Sequence, residues 1–380
     1  MTKQLPAITT ATRDPFFASP TTGFDTAPGE ILRRRTVTTR QLRGAARAWQ
    51  LVYASRTDFG SPIAASGIVL TPDTSNDPAN PLQLVVFVPM FHGLGGTCAP
   101  SQLLAGAGPE PEASLIGSLL KRGWVVAIPD GHGLGVTGIG PHRFLAGKAA
   151  AHAVLDLARA VTGLPELGAH EAAVTVWGYA DGGRAAVWAA EQQPSYAPEV
   201  DLRGVVAGAV AADPASLIPL TDGGAWAGLA VAGLIGLARA YAHLPVAHTL
   251  TETGYQMAEK AAGMDAAQLL VTFRNQTLGR WCERPDPWHD PMWRHLLGAE
   301  ITGRGTPQVP VHLYHGATDA LIPIGQAFAV HESYRDRGVE VTWDEYLTGH
   351  AATIAAAADD AIDRLATLLP HPRRPRRHTG

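Results

Sequence analysis

The chain is poor in cysteine, in charge and in long apolar runs, and each shortage excludes something. Two cysteines, Cys98 and Cys282, occur in 380 residues. Two thiols cannot build a metal site alone, and their spacing is not Cys-x-x-Cys, so taken by themselves they read as buried thiols. Charged residues make up 17% and the net charge is −4, which suits neither a disordered chain nor the basic face of a nucleic-acid binder. The longest apolar stretch, Ala225–Ala238, is studded with Gly and Ala and stops at Arg239. It falls short of the roughly 18–20 residues that a membrane span needs. The opening "MTKQLPAITTATRDPFF" has no apolar core of an export signal. The chain as written therefore reads as cytoplasmic, or as secreted if Met1 replaces a removed signal. Among fifteen histidines no pair stands at helical ligand spacing beside a carboxylate in a plausible pocket, so no metal and no other cofactor is expected.

What is present is an alternation. The apolar fraction of 46% suits a sizeable globular core. Trp49–Ala54 and Ala65–Leu70 read as an early strand pair. "LQLVVFVPMF" (Leu82–Phe91), "WVVAIPD" (Trp124–Asp130), Ala172–Trp177 and "LRGVVAGAV" (Leu202–Val210) are continuous apolar runs, as in strands buried on both faces. Helical patterns stand between them: "ASLIGSLLKRG", Ala146–Val161 and Gly183–Gln193. Strands alternating with helices specify a mostly parallel sheet covered on both faces. The alternation stops at Asp213 and resumes near Gly305 with Val309–Gly316, a helix at Ile324–Tyr334, Val339–Gly349 and one last helix, Ala351–Leu369. The expected organisation is a core of residues 1–212, a helical lid insertion at 213–305, a second core part at 306–369, and a basic, disordered tail at 370–380.

Ligands in open α/β sheets bind at the carboxyl ends of strands, and three such ends carry chemistry here. The first, "GYADGG", places a Gly-rich turn between a buried strand and a helix. With serine at position 180 it would be the G-x-S-x-G nucleophile elbow. The amide of Asp181, opening the helix, would face an oxyanion. The second is "LYHGATDALIP", where Asp319 follows a strand; Asp286 and Asp290 are weaker rivals. The third is "YLTGHAAT", where His350 opens the last helix. The order nucleophile position, acid, histidine is that of a triad in which Asp319 holds the imidazole tautomer and His350 moves the proton. A fourth element, "FHGLGG" (Phe91–Gly96), offers Gly93 or Leu94 as a second oxyanion donor; His92 reads as structural. Tyr179, Trp226 and Leu229 are the candidate substrate contacts.

These residues resemble the secretory-lipase family of α/β-hydrolases from about Asp14 to Leu369. "DPFFASP" with "APGEILRRR", "FHGLGGTCAPS", "PDGHGLG" and, most specifically, "GYADGGRAAVWAAEQQPSYAPEVDLRGVVAGAVAADP" carry the resemblance. It implies an α/β-hydrolase fold and hydrolysis of an apolar acyl ester by a Ser-Asp-His triad. It also implies a lid, with Trp226–Ala238 covering the acyl pocket, and a disulfide between Cys98 and Cys282. The departure is Ala180, whose methyl group cannot attack a carbonyl. Three accounts of it stay open: a substitution that traps substrate uncleaved, a natural relative that binds a small apolar molecule or runs acid–base (cyclase- or isomerase-type) chemistry with His350, and a purely structural descendant. No nucleic-acid partner is expected, and the sequence leaves the oligomeric state undetermined.

Overall fold

The computed structural model describes residues 14–20, 26–42, 44–73, 82–95, 98–169 and 171–369. The segment 370–380, read as a disordered tail, lies outside them. The alternation forms a nine-stranded sheet in the order β1-β2-β3-β5-β4-β6-β7-β8-β9. β1 (Ile31–Val37), β2 (Ala45–Arg56) and β3 (Pro62–Pro72) make an antiparallel flank. β4 (Gln83–Val88), β5 (Val125–Pro129), β6 (Ala173–Tyr179), β7 (Leu202–Gly208), β8 (Val311–Gly316) and β9 (Val341–Tyr346) pair in parallel. β1 was not anticipated. Its sequence, Ile-Leu-Arg-Arg-Arg-Thr-Val, hides an edge strand under arginines, a usual way to keep an exposed edge from pairing further.

The helices cover both faces. A turn of helix α1 (Pro100–Gln102) precedes α2 (Ala113–Lys121); α3 (Gly147–Thr162) and α4 (Asp181–Tyr196) follow. α3, α4 and α10 (Ile324–Asp336) bury their apolar stripes on one face; α2 and α12 (Ala358–Leu368) bury theirs on the other. The run expected as one last helix is two, α11 (His350–Ala356) and α12, broken at Ala357. No Gly or Pro marks the break. It lets α11 stay against the end of β8 while α12 lies along β6 and β7.

Between β7 and β8 the chain forms α5 (Pro214–Thr221), α6 (Ala227–Ala240), α7 (Glu252–Ala261), α8 (Ala266–Phe273) and α9 (Pro291–Ala299). They share an apolar cluster of their own, which reaches the core through Leu94, Phe144 and Leu145. α6 is buried nearly all round, and its Ala and Gly content lets α5 and α8 approach closely. Among the described residues no helix is long and apolar enough to cross a membrane.

Register decides what meets at the sheet's carboxyl edge. Val88 pairs with Gly178, Tyr179 with Gly208, Gly208 with Tyr314, and Gly316 with Tyr346. The loops after β4, β6, β8 and β9 therefore open side by side.

Candidate active site

Ala180 stands between β6 and α4 with φ 54° and ψ −114°. A residue with a Cβ adopts positive φ only under strain of order 1–3 kcal/mol, and such strain clusters at functional sites. The turn is held shut from all sides. The Ala180 N–H donates to the Gly208 carbonyl (2.9 Å), and its carbonyl accepts the Arg184 N–H (2.9 Å). A Cβ on Gly178 would lie 2.1 Å from the Gly182 carbonyl oxygen, and one on Gly182 would lie 2.1 Å from that of Val88. Both glycines are thus required by close backbone approach. Asp181 takes the first helical position, so its N–H has no acceptor within the helix.

His350 and Asp319 meet beside this turn. His350 Nδ1 lies 2.7 Å from Asp319 Oδ2. The other carboxylate oxygen accepts the N–H groups of Leu321 and Ile322, both at 2.9 Å. Burial alone would raise the Asp319 pKa. Hydrogen bonds from His315 and His350 and from the Ile322 amide outweigh it and hold the group well below the usual carboxylate range. An ionised Asp319 accepts from Nδ1–H, which leaves the His350 Nε2 lone pair free to take a proton. The Tyr179 hydroxyl donates to the His350 carbonyl at 2.7 Å, and the two rings lie 5.3 Å apart. Tyr179 is fully buried. It props the histidine, which corrects its assignment as a substrate contact. Asp286 pairs with His289 at the surface and Asp290 caps α9, so neither rival reaches the site.

The loop after β4 divides the two oxyanion candidates. Leu94 N–H is spent on the Met264 carbonyl (2.9 Å), which removes it as a donor. Gly93 faces Asp265 across an isolated bridge, and its N–H takes no acceptor among the described residues. The pairing of this loop with residues 264–266 was invisible in sequence because the partners lie some 170 positions apart.

Beside the elbow lies a cavity of about 50 Å³ lined by Met90, Phe91, His92, Asp130, His142 and Asp181, among others. That volume is room enough for a few waters. The Asp181 carboxyl faces it with no hydrogen-bond partner among the described residues, and burial raises its pKa to about 6 against a weaker pull from Arg184. Below about pH 3 this group is protonated in both folded and unfolded chains; above about pH 7 it is ionised in both, and the folded chain carries the burial cost. Asp181→Asn is therefore expected to stabilise the protein by about 1–2 kcal/mol at pH 8 and by almost nothing at pH 3. Urea unfolding at the two pH values checks this; a gain of equal size at both refutes the assignment.

Leu229, half-buried, packs against both the cluster containing Ala180 and the cluster of the helical insertion. Trp226 is 40% exposed at the start of α6. Cys98 and Cys282 are free, buried thiols. Cys98 Sγ points to the Gly95 carbonyl at 2.8 Å, while Cys282 bridges to Leu250. This corrects the disulfide that the resemblance implied and agrees with the reading from the residues alone. Burial raises both thiol pKa values to about 12, so neither is a reactive thiolate.

Two constellations went unread. Arg184 and Glu300, exposed by only 1% and 2%, form an ion pair at 2.9 Å between α4 and the end of α9. His92, Glu110 and Glu112 meet beneath the loop after β4. Sequence carried no signal for either, since their members are far apart or lie on irregular loops.

Comparison with known proteins places these observations. Residues 101–368 match the family described as secretory lipase. Lipase 2 of Candida albicans is 29% identical, over 93% of this chain and 80% of that one. A protein of Mycobacterium tuberculosis named a probable inactive lipase is 27% identical over 87% of this chain and 76% of that one. In structure the chain is similar to Candida antarctica lipase A, with a TM-score of 0.82 and 20% identity over 96% of this chain and 88% of that one.

Proposed function

Since this chain belongs to the secretory lipase family of α/β-hydrolases, we propose that it binds an apolar acyl ester at a lipase-type site and, with alanine at position 180, holds it without cleaving it. The lipase or esterase scaffold is the family's. The missing nucleophile and the roles of Asp319 and His350 belong to this proposal. The observation that carries it is the backbone of Ala180: a strained elbow persists where the hydroxyl is gone, beside an aspartate–histidine pair still in hydrogen-bonding geometry. In this reading Asp181 and Gly93 supply the oxyanion amides, residues 213–305 form the lid, and Leu229 touches the acyl chain. The family's name favours a secreted protein over a cytoplasmic one.

Acyl esters of graded length, incubated with the protein and followed by calorimetry and chromatography, test this. They are expected to bind and to be recovered intact. Turnover at a serine-hydrolase rate, or no binding at any length, refutes it. Leu229→Gln is expected to weaken long esters more than short ones, because each buried methylene contributes about 0.8 kcal/mol. Equal losses would assign Leu229 to helix packing alone. A second reading rests on the free Nε2 of His350: a complete general base without a nucleophile suits a proton-transfer reaction such as cyclisation or isomerisation.

A further inference from the structure

We propose that His92, Glu110 and Glu112 form a binding site for a divalent transition-metal cation of the zinc class, in the wall of the cavity beside the elbow. The site stands apart from the ester reading and uses none of its residues. One donor atom from each of the three side chains lies within 4.8 Å of the others. The His92 side chain is 7% exposed and that of Glu110 not at all. His92 Nδ1 sits 2.7 Å from the Met90 carbonyl, so Nδ1 carries the proton and donates it there. A metal-binding histidine is commonly oriented by such a bond from its other ring nitrogen. Nε2 then faces both Glu110 oxygens, at 3.1 and 3.0 Å. Glu112, 3% exposed, accepts the Met90 N–H through Oε2 at 3.0 Å and leaves Oε1 buried with no partner.

Three acceptor groups thus converge in a buried space, and one of them has an unsatisfied oxygen. A proton on Nε2 donates a hydrogen bond to Glu110 only and leaves Glu112 Oε1 without one, whereas a cation can accept a donor atom from all three. Two carboxylates and a neutral imidazole balance a dication. Oxygen and nitrogen donors without thiolate suit Zn²⁺, Mn²⁺ or Co²⁺. Ligands at about 2.0–2.2 Å from zinc stand roughly 3.4 Å apart in a tetrahedron. The His92–Glu110 pair is already that close; Glu112, within 4.8 Å, has to move inward by at most about 1.4 Å. Met90 orients two of the three side chains through its own N–H and carbonyl, so the backbone at the end of β4 preorganises the site. His92 lines the same cavity as Asp181, which leaves a fourth coordination position for water. The same loop pairs with residues 264–266, so a bound ion would stiffen the junction between the core and the helical insertion.

The test uses the full chain stripped of metal with a chelator. Zn²⁺ titration by calorimetry is expected to show one tight equivalent and to raise the melting temperature. Glu112→Gln keeps the His92–Glu110 pair and is expected to bind at least about 100-fold more weakly, with no thermal shift. Weak Zn²⁺ on surface histidines would persist equally in both proteins. Co²⁺ in the unsubstituted chain gives an independent readout, a visible spectrum of a low-coordinate nitrogen–oxygen site that Zn²⁺ abolishes. Absence of a tight equivalent and of that spectrum overturns the proposal. So does a Glu112→Gln protein that is folded and binds as tightly as the parent.

Discussion

Ala180→Ser is expected to raise acyl-ester hydrolysis by about 10⁴–10⁶-fold, the factor that loss of the nucleophile costs in hydrolases of this design. The magnitude follows from how little else is missing. The backbone at position 180 already holds φ 54°, so a serine hydroxyl enters a turn whose strain the surrounding structure sustains. Glycines on both sides leave no room for relaxation. His350, with Nδ1 on Asp319 at 2.7 Å, is the base in the proposed reading. The gain should disappear in the double variant Ala180→Ser/His350→Ala, because an unassisted serine hydroxyl is a weak nucleophile at neutral pH. A fluorophosphonate should label the serine variant and leave the parent untouched. If the variant is folded, fails to label, and turns over no ester of any length, the triad assignment is wrong and the proton-transfer reading takes its place.

Glu300→Ala is expected to cost about 3–5 kcal/mol of stability, the range for breaking a buried pair and leaving one charge alone. Glu300 joins four elements. Its Oε2 takes Arg184 of α4 at 2.9 Å and the N–H of Gly147 at the start of α3 at 2.7 Å. Its Oε1 takes the Tyr241 hydroxyl at the end of α6 at 2.8 Å, and its backbone carbonyl takes Arg184 again at 2.6 Å. Removal of the carboxylate leaves a guanidinium that is 1% exposed without its counter-charge. Glu300→Gln keeps the acceptor oxygen and loses the charge, so it should fall between the parent and the alanine variant. Urea unfolding of the three proteins checks the order. A loss below about 1 kcal/mol for Glu300→Ala would show that water or another carboxylate reaches Arg184.

The elements that sequence determined by itself are those whose cause is local. Continuous apolar runs became β4 to β7, because a strand buried on both faces has no polar positions to alternate. The spacing Gly178–Gly182 announced the elbow, because the clash that demands glycine involves neighbours within the same turn. Asp319 and His350 meet because each follows a strand whose end lies on one edge of the sheet. The departures share the opposite cause. β1 was hidden since an edge strand buries little, and the break at Ala357 since a helix can end for packing reasons without a breaker residue.

Everything that depends on which distant group arrives beside another was decided by the tertiary structure. Leu94 lost its amide to Met264, and Tyr179 turned its hydroxyl to the His350 carbonyl. Cys98 and Cys282 stayed apart as thiols. Glu300 met Arg184 across 116 positions, and His92 met Glu110 and Glu112 under a loop. Hydrogen bonds and ion pairs act over about 3 Å, whereas a sequence specifies separation only along the chain. Periodicity fixes which face of an element is buried; only the completed packing fixes which polar groups are sealed in together, and those groups carry the chemistry.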